Sequence, residues 1–228
     1  MIKYIVNNHK ALWVTAVFIL AAFLRIWLST TDTFLHEWDE RFHALVAKNL
    51  LLHPLLPTLY ETPLLDYDYR EWAYNHVWLS KPPLPLWCIA LSLKLWGETE
   101  WAVRFPSILF SLGSVFSTFK IAEHLFGRKV AAWAAFFHAI HGLTLEISCG
   151  RYSSDHVETI FLFWMELGSW AILKYYRNAS KDSIRRYALL LGLATGLAFM
   201  CKWTAAGLLP MVWLGVGICA GRTWNLRY

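Results

Sequence analysis

The chain has 228 residues, 57% of them hydrophobic and only 16% charged, with a mean hydropathy of +0.38 and a net charge of +5. Soluble domains carry roughly 25% charged residues, so this balance excludes an ordinary soluble globular domain and indicates an integral membrane protein. The basic residues fall in short clusters between apolar runs, which argues against a nucleic-acid partner and for orientation signals.

A helix needs about 20 mainly apolar residues to cross the hydrocarbon core. Lys3 and Lys10 precede the first such run, Ala11 to Leu28, and no small-x-small cleavage site follows it. It reads as an uncleaved first span rather than a signal peptide. After a turn at "STTDTF" comes "HEWDERFHALVAKNL", His36 to Leu50, where Phe42, Leu45, Val46 and Leu50 have helical spacing. That pattern predicts an amphipathic helix at the membrane surface with Asp39 and Glu40 in its first turn. Carboxylates there complement the helix dipole, which is the plain explanation for them. Glu40 and His43 also form an E-x-x-H pair with His36 nearby, a metal-site spacing that requires a further ligand from elsewhere.

The run "PPLPLWCIALSLKLWG", Pro82 to Gly97, is short, opens on two prolines and carries Lys94, so it reads as an interfacial or shallowly re-entrant helix. Lys81, fixed by the prolines that follow it, holds a cation at headgroup depth. It suits a lipid phosphate, the alternative being a snorkelling lysine. Five further spans are expected: Ala102 to Leu125, Val130 to Ile147, His156 to Tyr175, Tyr187 to Lys202 and Trp203 to Ala220. In "GRYSSDHVETIFLFW", Arg151, Asp155 and Glu158 stand at i, i+4 and i+7, one helix face at an outer end. Ionisable residues at that depth are functional candidates, and a purely structural Arg151–Asp155 pair is the alternative. Lys202 adds an isolated cation at the outer tip of the fifth span.

Lys and Arg clusters at positions 3/10, 128/129, 174–186 and 222/227 mark the cytoplasmic side in a six-span scheme. The segment Ser29 to Trp101 is then external, and it holds ten of the sixteen acidic residues, so acid is concentrated on one face. Cys88, Cys149, Cys201 and Cys219 have no metal-binding spacing and read as small apolar fillers, a Cys149–Cys201 disulfide being the minor alternative. The "NAS" at Asn178 is a glycosylation acceptor by pattern only, since the scheme makes it cytoplasmic.

Six motifs in register carry a family resemblance: the acidic "DE" (Asp39/Glu40) after the first span, "KPPLPLW" (Lys81 to Trp87), "EWAVRFPSILFSLGSV", "HLFGRKVAAWAA", "GRYSSD" and "FMCKWTAAGLLP". From about Leu24 to the C-terminus the chain resembles the polyprenyl-phosphate-sugar glycosyltransferases, a group that includes the protein O-mannosyltransferases and aminoarabinose transferases. The resemblance implies an all-α integral membrane protein of the GT-C fold. About six transmembrane helices form one domain over residues 1–228, with external amphipathic juxtamembrane helices after the first span. It implies inverting transfer of a sugar from a polyprenyl-phosphate donor to a lipid, glycan or protein hydroxyl on the external face of a bacterial inner membrane. Carried over by position, Asp39 is the catalytic base supported by Glu40, Asp155 is a second active-site carboxylate, and Lys81, Arg151 and Lys202 bind the donor phosphate. Arg41, His43 and His76 are candidate donor or acceptor contacts.

Some positions depart from the pattern. An acidic residue implicated in metal binding precedes the lysine in the aminoarabinose branch, and here that position is Ser80, so no metal is carried over and the metal requirement stays open. Arg41, Phe42 and His43 also differ from that branch, and the loop from Leu51 to Trp78 is longer. Family members continue well beyond this length, so a C-terminal half is expected as a further part or partner. The alternative reading is a non-catalytic module or truncated fragment that binds a lipid phosphate or partner spans. A transporter fits less well, because the charges gather at one face rather than at the midplane. In the six-span scheme, an impermeant thiol reagent labels a cysteine placed at Ser153 in intact cells and one at Ser183 only after permeabilisation. Labelling of both from one side overturns the scheme.

Overall fold

Long apolar stretches with few helix breakers leave the backbone one way to satisfy its polar groups in lipid, and the chain takes it. The computed structural model describes residues 2–71, 74–152, 156–177 and 180–219, with side chains from Leu12 onward. In chain order the helices are α1 (Ile2–Thr31), α2 (Asp39–Asn49), α3 (Pro83–Trp96), α4 (Glu100–Phe126), α5 (Arg128–Ile140), α6 (Gly142–Ser148), α7 (His156–Arg177), α8 (Lys181–Phe199) and α9 (Leu208–Cys219). Among the described residues there is no strand, only an isolated antiparallel pairing of Thr58 with Val77.

Helix α4 is the centre of the bundle and packs against α1, α3, α5 and α7, while α7 also carries α8 and α9. Its buried face holds Ser107, Ser111, Ser114 and Ser117, and small side chains of this kind let neighbouring helices come close. One close approach is at Gly113, where an added Cβ would meet the Phe163 ring of α7 at 2.6 Å. A separate core joins α2, α3 and the loop between them through Val46, Ala47, Leu59, Trp78, Leu86, Ile89 and Leu93.

Residues Leu12–Thr31 of α1 and the whole of α4 are long and apolar enough to cross a membrane. The expected span Val130 to Ile147 is broken: α5 and α6 meet at His141 with a bend of 56°, and together they make a third candidate crossing. His141 caps the new helix, its Nδ1 accepting from the Thr144 amide at 3.4 Å. The other expected spans coincide with α7, α8 and the segment containing α9, which do not meet the same measure of length and apolarity. At 14 residues α3 is about 21 Å long, short of a bilayer core of roughly 30 Å. Pro82 caps it, Pro83 and Pro85 occupy its first turn, and Gly97 ends it at φ 80°. That left-handed conformation is open to glycine.

The surface helix differs from the sequence expectation. In α2 the buried face is Glu40, His43, Ala44, Val46 and Ala47, whereas Leu45 is exposed and Phe42 only half-buried. The expected Val46 and Leu50 are buried, and two polar residues join them in place of Leu45, because Glu40 and His43 find their partners inside: Arg104 for Glu40, and the edge of Trp78 for His43 at 5.9 Å.

The 33-residue connection from Leu50 to Pro82 is held at its root by Asn49, whose Nδ2 donates to the carbonyls of Thr58 (2.9 Å) and Leu59 (3.2 Å). Two backbone bonds close the base, Leu59 N–H to His76 O (2.7 Å) and Trp78 N–H to Pro57 O (2.8 Å). Replacing Asn49 with Ala leaves two carbonyls short of a donor, a loss of about 1–3 kcal/mol where the group stays buried. Limited proteolysis is expected to cut between Leu55 and Tyr69 several-fold faster in Asn49→Ala than in the parent, and an unchanged rate would contradict this role.

Candidate functional site

One end of the bundle is organised by a guanidinium. Arg104, in the second turn of α4, has no exposed surface and pairs with Glu40, itself fully buried, at 2.7 Å from Nε to Oε1. Nη1 donates to the carbonyls of Ser29 (2.8 Å) and Asp32 (2.7 Å), and Nη2 to that of Phe34 (2.6 Å). These carbonyls belong to the last turn of α1 and the chain just beyond it, where a helix has no internal donors left. Arg151 closes the same end from another side. It donates to Asp32 Oδ2 at 2.7 Å and to the Leu28 carbonyl at 3.4 Å, contacts Thr31 Oγ1, and lies 3.7 Å from Glu146. Burial opposes its charge, but the hydrogen bond and charge of Asp32, helped by Glu146, more than offset that and raise its pKa.

Glu40 has further partners. Its Oε2 accepts from the His36 amide at 2.6 Å and lies 3.0 Å from His36 Nδ1, while His36 Nε2 is 3.3 Å from Asp32. Its Oε1 lies 3.8 Å from Nε2 of the buried His156 at the start of α7, whose Nδ1 is 2.5 Å from Ser107 Oγ. Gly150, at φ 73°, follows α6 and passes directly over the Glu40 carboxylate, where an added Cβ would collide with it. One carboxylate thereby joins α2, α4 and α7.

With Glu40 turned inward, its neighbour Asp39 lies about 100° round the helix. There Lys81, 42 residues further on, reaches Asp39 Oδ2 at 3.3 Å, and both side chains are partly exposed, 26% and 22%. The start of α3 is tied to the far end of the chain by the Leu84 amide, which donates to the Met200 carbonyl at 3.2 Å. Lys202, two residues beyond Met200, pairs with Glu158 at 2.5 Å. Leu84 packs with Val157, Ile160 and Cys201 beneath these charges. Asp39, Lys81, Glu158 and Lys202 thus belong to one end of the bundle.

Trp38, immediately before Asp39, has φ 66° and ψ −118°, a region that favours glycine. Holding a tryptophan there costs on the order of 1–3 kcal/mol. Its ring is 62% exposed and lines a cleft of about 850 Å³ with Tyr60, Leu64, Glu71, Tyr74 and His76. His76 Nε2 is 3.2 Å from the Leu65 carbonyl and its ring meets Tyr67. Arg41 faces elsewhere: its Nε donates to the Leu35 carbonyl at 2.9 Å and it borders a separate cleft with Leu45, Lys48 and Glu98.

Several sequence expectations change here. Arg151 precedes α7 in a turn and pairs with Asp32 instead of sharing a helix face with Glu158, because Gly150 ends the preceding helix. His43 is buried, which takes it out of reach of a solvent-borne ligand. Cys149 and Cys201 are free thiols. Asp155, Ser153 and Asn178 lie outside the described residues. No three His, Cys, Asp or Glu side chains among the described residues converge as a metal site. Glu40 of the E-x-x-H pair is engaged by Arg104, and Ser80 offers no carboxylate beside Lys81. Among the described residues, the donor set at this position therefore does not fit a divalent metal. Arg104 and His156 had no role assigned from sequence, although an arginine inside an apolar run of α4 signals a buried partner.

Comparison with known proteins shows the family and the fold. Residues 80–226 match the family described as dolichyl-phosphate-mannose-protein mannosyltransferase. A putative mannosyltransferase, YycA of Bacillus subtilis, is 26% identical over 124 residues, covering 54% of this chain and 18% of its own. The undecaprenyl phosphate-alpha-4-amino-4-deoxy-L-arabinose arabinosyl transferase of Pseudomonas aeruginosa is 29% identical over 148 residues, covering 62% of this chain and 26% of its own. The crystal structure of ArnT from Cupriavidus metallidurans in the apo state superposes with a TM-score of 0.70 at 18% identity, covering 97% of this chain and 37% of that one. The same enzyme bound to undecaprenyl phosphate gives 0.67. This chain therefore spans well under half the length of these relatives, and the shared architecture is the GT-C membrane fold.

Removing one member of a fully buried ion pair strands the other and costs about 3–5 kcal/mol, whereas replacing both with apolar groups can be nearly neutral. Arg104→Met and Glu40→Leu are each expected to lower the unfolding midpoint sharply, and the double variant to recover part of that loss. A double variant no better than the worse single one would contradict the pairing.

Proposed function

We propose, from the premise that this chain belongs to the dolichyl-phosphate-mannose-protein mannosyltransferase family, that it carries the base and phosphate-binding groups of a membrane glycosyltransferase. The donor is a sugar on a polyprenyl phosphate and the acceptor a hydroxyl of a lipid, glycan or protein. The site faces the outside of a bacterial inner membrane, and the N-terminus is cytoplasmic. The six predicted spans form one domain, in which α7, α8 and α9 cross alongside α1, α4 and the bent α5–α6 pair.

The observation that carries this reading is the Asp39–Lys81 pair, a carboxylate and an ammonium 3.3 Å apart, each partly open to solvent. Transfer requires both. The Asp39 carboxylate accepts the proton of the acceptor hydroxyl as that oxygen bonds to the anomeric carbon. The bond from that carbon to the phosphate oxygen breaks, and its electron pair leaves with the phosphate. Lys81 stabilises the departing phosphate, with Lys202 contributing from across the end of the bundle. Attack and departure on opposite faces invert the anomeric centre. The singly charged phosphodiester of the donor also competes with Asp39 for Lys81. Drawing Lys81 onto the donor frees the Asp39 carboxylate from its 3.3 Å ion pair for contact with the acceptor hydroxyl.

Glu40, Arg104, His36, Arg151 and His156 are positioning residues in this reading, since their polar atoms are committed to one another and to the end of α1. Asp155 keeps the role of a second carboxylate. The aromatic cleft beside Trp38 and His76 supplies flat apolar surface at the acceptor side of Asp39.

The test is release of polyprenyl phosphate from a pool of polyprenyl-phosphate sugars by the chain in lipid nanodiscs. Loss of general-base assistance costs about 10²–10⁴-fold in rate. Asp39→Asn is expected to abolish release within that range while donor retention persists, and Lys81→Met to weaken retention itself. Release by Asp39→Asn at the parental rate overturns the base assignment. Retention without release in the parent supports the alternative of a lipid-phosphate-binding module.

A further inference from the structure

The opposite end of the bundle carries a second concentration of charge that the proposed reaction does not use. In the last turns of α4, Lys120, Glu123 and His124 lie at i, i+3 and i+4; in the last turns of α7, Trp170, Lys174 and Arg177 lie at i, i+4 and i+7. The two helices pack together, so these faces meet and line a cavity of about 540 Å³, within the usual range of small-ligand sites. Lys120 is 16 residues beyond Arg104 on α4, about 24 Å along the axis, so this cavity is remote from Asp39 and Lys81.

The lining is cationic and preorganised. Lys120 pairs with Glu123 at 2.9 Å, and its ammonium lies over the rings of Phe116 and Phe119 at 5.6 Å. The Lys174 ammonium lies 5.9 Å from the Trp170 ring, and Arg177 Nη1 donates to the His124 carbonyl at 2.8 Å, which locks the two helix ends together. Three cations face one carboxylate, and all but Arg177 are half-buried. Cations near the ends of helices complement the dipole, but that alone requires neither a cavity nor aromatic walls. Tryptophan at this position favours headgroup depth.

We infer that this cavity binds the phosphodiester headgroup of an anionic phospholipid, the cations taking the phosphate and the Trp170 ring taking the start of the acyl region. Free inorganic phosphate shares the headgroup's charge but not its glycerol and acyl flank. The basic-residue pattern puts this end on the cytoplasmic side, where basic pockets between spans take acidic headgroups. The inference stands on these six residues and is independent of sugar transfer.

Native mass spectrometry of the full chain, released from detergent with phosphatidylglycerol or phosphatidylcholine, tests it without any turnover readout. The parent is expected to retain phosphatidylglycerol about tenfold or more over phosphatidylcholine, since each basic residue near the surface contributes on the order of 1 kcal/mol to anionic-lipid binding. The triple variant Lys120→Gln/Lys174→Gln/Arg177→Gln should lose that preference. A control, Arg128→Gln/Lys129→Gln/Arg185→Gln, removes equal charge from exposed positions and should keep it. If the triple variant does not assemble, Lys120→Gln alone should lower the preference several-fold. No preference in the parent, equal loss in the control, or full displacement by millimolar inorganic phosphate would each overturn the lipid site.

Discussion

A guanidinium with no exposed surface must meet all its hydrogen-bonding demands inside the protein, and Arg104 meets them by drawing three chain segments to one point. It takes the carbonyls that α1 leaves unpaired at its end, so the first helix is terminated by a cation rather than by water. It takes Glu40, so α2 is fixed to α4 by its first turn. Through Glu40 it reaches His36 and the buried His156, and Gly150 allows the backbone to pass close enough to cover the carboxylate. Low dielectric makes each of these contacts strong and makes any missing one costly.

The exposed chemistry is a consequence of that buried arrangement. Two adjacent carboxylates in one helical turn cannot face the same way. With Glu40 committed inward, Asp39 is presented at the surface of the bundle, where Lys81 meets it. The chain between α1 and α2 is correspondingly tight, and Trp38 takes a backbone conformation that a tryptophan rarely adopts. The strain lies at the residue beside the candidate base, with its ring on the rim of the aromatic cleft. Strain of this kind persists only where the surroundings over-determine it, and here the Arg104–Glu40 pair supplies that constraint.

Helix α4 links the two chemistries of the molecule. Its beginning holds the arginine that builds the candidate site, its serine-lined middle permits close packing of α1, α5 and α7, and its end supplies half of the basic cavity. Arg25 repeats the logic one layer in, donating to Ser111 of α4 and to the Ala139 carbonyl of α5. A bundle stitched by buried cations to backbone carbonyls and serines holds its helices in register without relying on a hydrophobic difference between protein and lipid, which is small inside a membrane.

Composition and periodicity by themselves determined that the chain is a helical membrane protein whose charges gather at helix ends; motif order supplied the family. These follow from local physics, since apolar length, proline position and charge asymmetry act over a few residues. The sequence did not disclose which of two neighbouring carboxylates is buried. The apolar spacing of Phe42, Leu45, Val46 and Leu50 found part of the buried face of α2, Val46 and Leu50, but not that Glu40 joins them, since its partner is 64 residues distant. Nor did it disclose the break at His141, the diversion of Arg151 to Asp32, or the cavity formed where α4 and α7 end. Each of these depends on which side chains meet across the bundle, and a buried charge chooses its partner by proximity in space, which only the tertiary structure decided.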